Sequence, residues 1–343
     1  MTPKASLISR REFAKTGVVA GACVATSLAS PAIWAQSPTK PVKILLSAFP
    51  PDPAFHFYYY ALENGFYRQE GLDVQIDAIP VETNAVRATA AGDADATCPG
   101  GASTIKVIGS GAKLKVAGNF WGADYFIVAK NDIQDLKGLE GRTVAVSAPG
   151  AAVHTYSVIM MQKRGVDPAK VQWVGAGSAA SRFQALLGGR VDAAIISSTF
   201  ASQAMGRGGY RIVADTAEDL PDWCWTLDVV SDALLTRRPE AAQGLVTAYS
   251  RAVRWMYQHP DDAALISQKL LPDVPKDALT ATVHRLVDKK IVRQTGEVRP
   301  SAFNGIVEWL KTQGEIDKPI AYQDAVASNL AQVALEKLGP PSL

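Results

Sequence analysis

The stretch that decides the fold is Val42-Lys43-Ile44-Leu45-Leu46-Ser47, an apolar run with the length and composition of a buried strand. The segments that follow it are a helix over 54–64, a strand over 73–77, a helix over 84–91 and a strand over 94–97. Gly65 and Gly92 stand where the two helices end, and glycine suits a helix C-terminus because it has no Cβ. The sequence therefore predicts a strand–helix–strand–helix–strand unit here.

The same order of elements recurs about 100 residues later. The predicted segments are a strand over 143–147, a helix over 151–164, a strand over 171–174, a helix from Ser178 to about Leu187 and a strand over 191–196. The motif before the third strand is Gly-Asp-Ala-Asp-Ala at 92–96 and Gly-Arg-Val-Asp-Ala at 189–193. Because such units require right-handed parallel crossovers, we predict an α/β protein with two parallel-sheet lobes covered by helices.

A two-stranded hinge is predicted to join the lobes. Its candidate strands, 125–129 and 226–230, carry the chain out of the first lobe and back. Lobe 1 then comprises residues 40–128 and 226–343, and lobe 2 comprises residues 129–225. After the hinge the pattern is helical, and Pro239 and Pro260 bound the longest helix. Further helices are expected against lobe 1 over 261–270, 276–289, 301–313 and 322–338.

The composition excludes a nucleic-acid-binding protein. The chain of 343 residues is 48% hydrophobic, 20% charged and carries a formal charge of +2. Residues 1–35 hold four basic side chains and one acidic one, so the remainder is close to −1. A chain without a basic excess has no electrostatic attraction to phosphate backbones. Beyond the N-terminus, no stretch of 18 uncharged apolar residues predicts a membrane span.

The N-terminal residues 1–35 are predicted to be a twin-arginine signal peptide. Ser9-Arg10-Arg11-Glu12-Phe13-Ala14-Lys15 matches the motif, a weakly apolar stretch covers 17–30, and Ile33-Trp34-Ala35 offers a cleavage site. We therefore expect a periplasmic protein. Two alternatives stay open, namely a lipoprotein anchored through Cys23 and an ordinary amphipathic helix.

In open parallel sheets, ligands bind at the carboxyl ends of the strands. That rule selects four loops, at 48–56, 98–104, 148–155 and 197–201, each followed by a helix N-terminus suited to anions or carbonyl oxygens. Their small and hydroxyl residues let a backbone or side chain approach a ligand closely. The candidates are Pro99, Gly100, Gly101, Ser147, Gly150, Ala151, Ser198 and Thr199. The alternative is that these residues only form turns.

Aromatic and histidine side chains supply a second set of candidates. Phe49, Phe55 and His56 lie in the first loop, Trp121 precedes one hinge strand, and Trp223 and Trp225 precede the other. Such rings can form stacking walls for a ligand, although packing that stiffens the hinge explains them equally well. His154, in the first turn of a lobe 2 helix, is a candidate hydrogen-bond donor or else a solvent-facing residue.

No catalytic, metal or cofactor motif is found. The sequence has no His, Cys, Asp and Glu cluster with metal-ligand spacing, no phosphate-binding lysine loop and no nucleophile elbow. Cys98 and Cys224 are interpreted as buried thiols, with a disulfide left open. No Arg or Lys lies in the four loops, and Arg182 is interpreted as a solvated mid-helix residue. A partly aromatic or neutral ligand is therefore favoured, or one carboxylate or sulfonate held by helix N-termini.

The stretches 60–74, 136–146 and 185–194, and the helix over 234–257, resemble the taurine, sulfonate and nitrate substrate-binding family of ABC transporters. The resemblance implies a type II periplasmic-binding-protein fold and a monomer that delivers its ligand to an ABC permease and ATPase. The ligands it implies are sulfonates, nitrate, aromatic carboxylates and pyrimidines.

The chain is also similar to the thiamine-pyrimidine synthases of that superfamily, but it has no Cys-Cys-Cys-Phe-Cys loop. An exported enzyme on the same fold and a sensory binding subunit are the alternatives.

Overall fold

The computed structural model describes residues 41–46, 51–79, 81–122 and 124–341. The predicted signal peptide, Cys23 and Phe49 lie outside these residues. Within them, each half of the chain carries the predicted order of strands and helices, so the repeat seen in the sequence is present in the fold.

The strands of the described chain are β1 Val42–Leu46, β2 Val74–Ala78, β3 Ala96–Thr97, β4 Leu114–Gly118, β5 Tyr125–Lys130, β6 Thr143–Val146, β7 Gln172–Gly175, β8 Ala193–Ser197, β9 Tyr210–Asp215 and β10 Asp228–Ser231. The α-helices up to the second crossing are α1 Phe57–Glu63, α2 Phe66–Gln69, α3 Glu82–Ala91, α4 Gly101–Gly109, α5 Ala152–Lys163, α6 Ala179–Leu187, α7 Ser198–Arg207 and α8 Thr216–Asp219. Those that follow are α9 Asp232–Arg237, α10 Pro239–Gln258, α11 Pro260–Leu270, α12 Lys276–Asp288, α13 Pro300–Thr312, α14 Tyr322–Ala325 and α15 Asn329–Leu338. Short 3-10 helices span Pro53–Phe55, Lys137–Leu139 and Pro168–Lys170.

Two five-stranded sheets form, in the orders β2-β1-β3-β10-β4 and β7-β6-β8-β5-β9. Both sheets are mixed, where the sequence pattern predicted parallel ones. In each sheet four strands run in the same direction, and the strand that arrives from the other sheet, β10 or β5, runs antiparallel to both of its neighbours. A chain that enters a sheet from the opposite lobe approaches it from the other end, which reverses its direction.

The predicted hinge strands therefore do not pair with each other. β5 lies wholly in the second sheet and β10 in the first, so the chain changes sheet in the segments 119–124 and 216–227 that precede them. The residue limits predicted for the two lobes, 40–128 with 226–343 and 129–225, stay a prediction.

Local sequence explains several helix ends. Ser178 caps α6 by accepting a hydrogen bond from the Ser181 N–H group. Gly92 ends α3 in the left-handed conformation, with φ of 85°, that residues with a Cβ rarely adopt. Pro239 begins α10, as predicted, and Pro260 begins α11 as well as ending α10, because a proline N1 position needs no N–H donor.

The C-terminal helices pack mainly on the first sheet and its helices, with α10 against α1 and α2 and α13 against α4. The single helix predicted over 322–338 is divided into α14 and α15. Val326 forms a β-bridge with Val116 of β4, and this pairing interrupts the helix. No helix among the described residues has both the length and the apolarity that crossing a membrane would need.

Candidate functional site

Aromatic rings from both lobes and both crossing segments form one continuous row. Successive ring centres are 4.4 Å apart for Phe55 and Trp121, 5.9 Å for Trp121 and Tyr125, 5.4 Å for Tyr125 and Trp225, and 4.0 Å for Trp225 and Tyr156. We call these five side chains the aromatic row. All five are buried. The row runs from the loop after β1, through the hinge, to α5 of the second lobe.

Polar atoms beside the aromatic row are buried without hydrogen-bond partners among the described residues. They are the indole N–H groups of Trp121 and Trp225 and the hydroxyl of Ser197. Ser197 lies directly opposite Tyr125 in the pairing of β8 with β5, at the carboxyl end of β8. A buried donor left unpaired costs about 1–3 kcal/mol, so these groups are suited to a partner that the protein itself does not supply.

Arg182 is a buried cation next to the aromatic row. Its side chain is 3% exposed, and its guanidinium carbon is 6.0 Å from the centre of the Tyr125 ring. The Nε–H group donates to the Ile195 carbonyl at 2.6 Å, and Nη1 donates to the Gly177 carbonyl at 2.5 Å. Burial lowers the pKa of Arg182, while the nearby Tyr125 and Asp52 oppose that effect. The interpretation of Arg182 as solvated is therefore wrong.

The N-termini of α4 and α5, one from each lobe, are in contact. The Gly101 N–H group donates to the Trp225 carbonyl at 2.9 Å and to the Tyr156 hydroxyl at 3.2 Å. The Tyr156 hydroxyl donates in turn to the Trp225 carbonyl. A Cβ placed on Gly100 would lie 2.5 Å from the Cβ of Ala152, so only glycine allows this approach. The predicted loops at 98–104 and 148–155 thus meet.

A second set of interlobe contacts lies at the hinge. The buried Asp124 carboxylate accepts hydrogen bonds from Ser198 at 2.5 Å and from Arg285 at 3.0 Å, and Arg285 also pairs with Asp215. Burial raises the pKa of Asp124 to about 7, although both hydrogen-bond partners favour its charged form. These bonds attach α12, a C-terminal helix, to the second sheet.

The predicted site residues that the structure describes divide into three groups. Phe55, Trp121 and Trp225 belong to the aromatic row, and Gly100 and Gly101 form the contact between helix ends. Three more lie in the segments beside them, namely Pro99, whose carbonyl accepts the Leu227 N–H group, Ala151, which precedes α5, and Trp223, whose ring centre is 6.4 Å from that of Tyr156.

Four predicted ligand residues instead have partners within the protein. His56 is buried, with Nδ1 2.8 Å from the Ser267 hydroxyl and Nε2 3.1 Å from the Pro51 carbonyl, because the first turn of α1 packs on α11. His154 accepts the Gly150 N–H group and contacts Trp173. Ser198 bonds Asp124, and the Thr199 hydroxyl is 2.9 Å from that of Thr282.

Two candidates from the loop after β6 lie away from the aromatic row's contacts. Ser147 is half-buried and its carbonyl accepts the Gly177 N–H group, while Gly150 is exposed with φ of 78°. Tyr125 and Tyr156 were missed by the sequence analysis because apolar neighbours make a strand or helix residue look like ordinary core, and Arg182 was missed because it was interpreted as solvated. The spacing of Arg182 from the buried Leu186, four positions along α6, was the one available signal.

Two cavities lie away from the aromatic row. One, of about 830 Å³, is lined by 287–295 and by Gly122 and Ala217 of the crossing segments, and another, of about 380 Å³, is lined by residues of 108–115. The facing ends of the sheets are in contact where Gly100 approaches Ala152. Among the described residues no group of three His, Cys, Asp or Glu side chains could hold a metal ion.

Both remaining thiols, Cys98 and Cys224, are buried and are not joined by a disulfide. Burial raises the pKa of Cys224 to about 11 and raises the pKa of Cys98 well above its ordinary value. The interpretation of both residues as buried thiols is confirmed.

Comparison with known proteins gives relatives of similar length and fold. YtlA of Bacillus subtilis (strain 168), whose name assigns it a binding role, is 24% identical over 292 residues, which is 80% of this chain and 84% of YtlA. The formylaminopyrimidine-binding protein of Halalkalibacterium halodurans is 20% identical over 308 residues, which is 84% of this chain and 89% of that protein. The periplasmic aliphatic sulphonate binding protein SsuA of Escherichia coli has a TM-score of 0.68 at 16% identity, covering 85% of this chain and 99% of SsuA.

The fold is therefore that of the periplasmic binding proteins. A family model described as "NMT1/THI5 like" matches residues 52–263, which is more than half of the chain. This match, together with the two mixed sheets of the chain, establishes that the chain belongs to the NMT1/THI5-like family.

Proposed function

We propose that this chain is the solute-binding component of an ABC importer and captures a small organic molecule between its two sheets. The observation that carries the proposal is the aromatic row with its unpartnered indole N–H groups. Rings with polar edges at the junction of two lobes form the kind of site that encloses a flat ligand and donates to its acceptor atoms. Relatives named for binding a formylaminopyrimidine and aliphatic sulphonates support the class of function.

The proposed cycle begins with separation of the lobes at the segments 119–124 and 216–227. A ligand then takes a place along the aromatic row, and the ends of α4 and α5 return to contact, which stabilises the closed form. We propose that this form docks as a monomer on a membrane permease and its ATPase, after export to the periplasm by the twin-arginine route. No catalytic residue, metal or cofactor is assigned to it.

The first test is to identify the ligand. Native mass spectrometry of protein purified from the periplasm should show a bound small molecule, which is then identified and returned to ligand-free protein. Recovery of that molecule unchanged after prolonged incubation supports binding without turnover. Conversion to a product would establish the alternative, an enzyme on this fold. Absence of any ligand, together with no thermal shift across sulfonates, aromatic acids and pyrimidines, would contradict the proposal.

Trp225→Phe tests the part played by the indole N–H group. The substitution keeps an aromatic ring but removes a donor, so the dissociation constant for the identified ligand should rise about fivefold to tenfold, as expected for one lost hydrogen bond. Trp255→Phe is the matched control, because Trp255 stacks on His259 and packs at a tilt against Tyr60, outside the aromatic row. If the two substitutions raise the dissociation constant equally, Trp225 does not contact the ligand.

A further inference from the structure

A single carboxylate lies where two helix N-termini from opposite lobes meet. The Gly100 N–H group, at the start of α4, donates to Oε2 of Glu82 at 3.2 Å. A Cβ on Gly100 would be 3.5 Å from the same oxygen and 2.5 Å from the Cβ of Ala152, the first residue of α5. Glu82 is itself the first residue of α3. The carboxylate therefore lies beside the positive ends of three helices.

Helix N-termini are the places where a protein of this fold can hold an anion without a basic side chain. Here the N–H group at the start of α4 is already bonded to the protein's own carboxylate. Within the part of the chain that the structure describes, no Lys, Arg or His forms an ion pair with Glu82. Because no basic side chain of the described chain neutralises it, this negative charge can repel a second anion.

The other charges near the aromatic row do not offset this carboxylate. Arg182 is buried near Asp52, which is itself 9% exposed, and the two charges are opposite. Trp225 connects the two regions, because its carbonyl accepts the Gly101 N–H group while its indole N–H, in a side chain 1% exposed, has no partner among the described residues. The excess charge at the facing ends is therefore negative.

We propose that Glu82 is a specificity-determining residue that excludes oxyanions, so that the site accepts planar ligands without net negative charge. The inference rests on the proposed binding function and narrows its ligand class. A sulfonate or carboxylate at the ends of α4 and α5 would meet the like charge of the half-buried Glu82 at close range. A neutral or amine-bearing ring would meet an acceptor there.

The test measures binding of methanesulfonate, a probe small enough to reach a helix end, by isothermal titration at constant ionic strength with chloride as the balancing ion. The wild-type protein should bind it weakly or not at all, and Glu82→Gln should bind it at least tenfold more tightly. Glu82→Asp retains the charge and should behave like the wild type. Glu63→Gln removes an exposed carboxylate in α1 and is the matched control.

Tight binding of methanesulfonate by the wild type would overturn the inference, and this result needs no variant to fold. A Glu82→Gln protein that is folded by circular dichroism but binds no better than the wild type would overturn it as well. Neither result affects the capture of a ligand seen by native mass spectrometry. Failure of the proposed function would instead appear as protein that carries no ligand and binds none.

Discussion

At the scale of single residues, His56 shows how burial fixes a protonation state. Its ring is fully buried, and burial lowers its pKa from 6.5 to about 4. The contact with the Pro51 carbonyl places a proton on Nε2, so Nδ1 accepts from Ser267. The folded protein therefore holds His56 neutral, whereas the unfolded chain takes up a proton near pH 6.5.

We expect His56 to make stability depend on pH. Because the folded pKa lies below the unfolded one, the contribution is complete above pH 6.5 and is lost as the pH falls toward 4, by at most about 3 kcal/mol. Urea unfolding of the wild type and of His56→Gln should give free energies whose difference shrinks over that range.

Asp124 acts in the opposite direction, since its raised pKa makes stability fall as the pH rises through 7. The wild-type profile alone therefore mixes the two effects, and the difference from the variant isolates His56. A difference that is constant between pH 4 and 7 would contradict the assignment.

The residues most relevant to the site were only partly predictable. Phe55, Trp121 and Trp225 were identified because large rings in loops need an explanation, whereas Arg182 was not, because a mid-helix arginine is usually solvated. Arg182 is buried instead of solvated because the fold places the carbonyls of Ile195 and Gly177 where its guanidinium can donate to them. Such partners come from distant segments, so no local pattern reveals them.

At the scale of elements, the contact between α4 and α5 depends on glycine. Gly100→Ala should separate the two helix ends, because its methyl group would lie 2.5 Å from the Cβ of Ala152. We expect a loss of about 1–3 kcal/mol in the free energy of unfolding, measured with urea. The double variant with Ala152→Gly should recover most of that loss, since the overlapping group is removed.

Gly305→Ala is the matched control, because Gly305 lies in α13 with no heavy atom within 4 Å of an added Cβ. This change should be neutral or slightly stabilising. A double variant no more stable than Gly100→Ala would show that the helix ends do not meet as described.

The order of strands and helices was predictable from periodicity, and the pairing of the hinge strands was not. Each strand of the repeat lies within about two residues of its predicted position, since apolar runs and glycine ends are local signals. The destination of β5 and β10 depends on which sheet has an unpaired edge for them, and that is a property of the whole fold.

At the scale of the whole molecule, the last helices connect the two lobes. α12 packs with helices of the first lobe, yet its Arg285 reaches Asp124 and Asp215, and its Thr282 meets Thr199 of α7. Separation of the lobes must therefore break these bonds or move α12 with the second sheet. The hinge region thus includes the C-terminal helices as well as the two crossing segments.

Export is also a property of the whole chain, and the twin-arginine proposal can be tested directly. Replacing Arg10 and Arg11 by Lys keeps the charge but removes the paired guanidinium groups, so the precursor should accumulate in the cytoplasm in cell fractionation with immunoblotting. Lys4→Arg is the control and should be exported normally. Continued export of the double variant would show that a general secretion route reads the signal.

The two buried thiols make the chemical reactivity of the protein depend on how often its interior opens. Neither sulfur is accessible while the chain is folded, so reagents and oxidants reach Cys98 and Cys224 only during excursions that open the interior. The rate at which the two thiols are alkylated therefore depends on how frequently the interior opens. The alkylation rate of the two thiols is therefore a measure of how often the folded chain opens. A bound solute that keeps the lobes together would lower that rate.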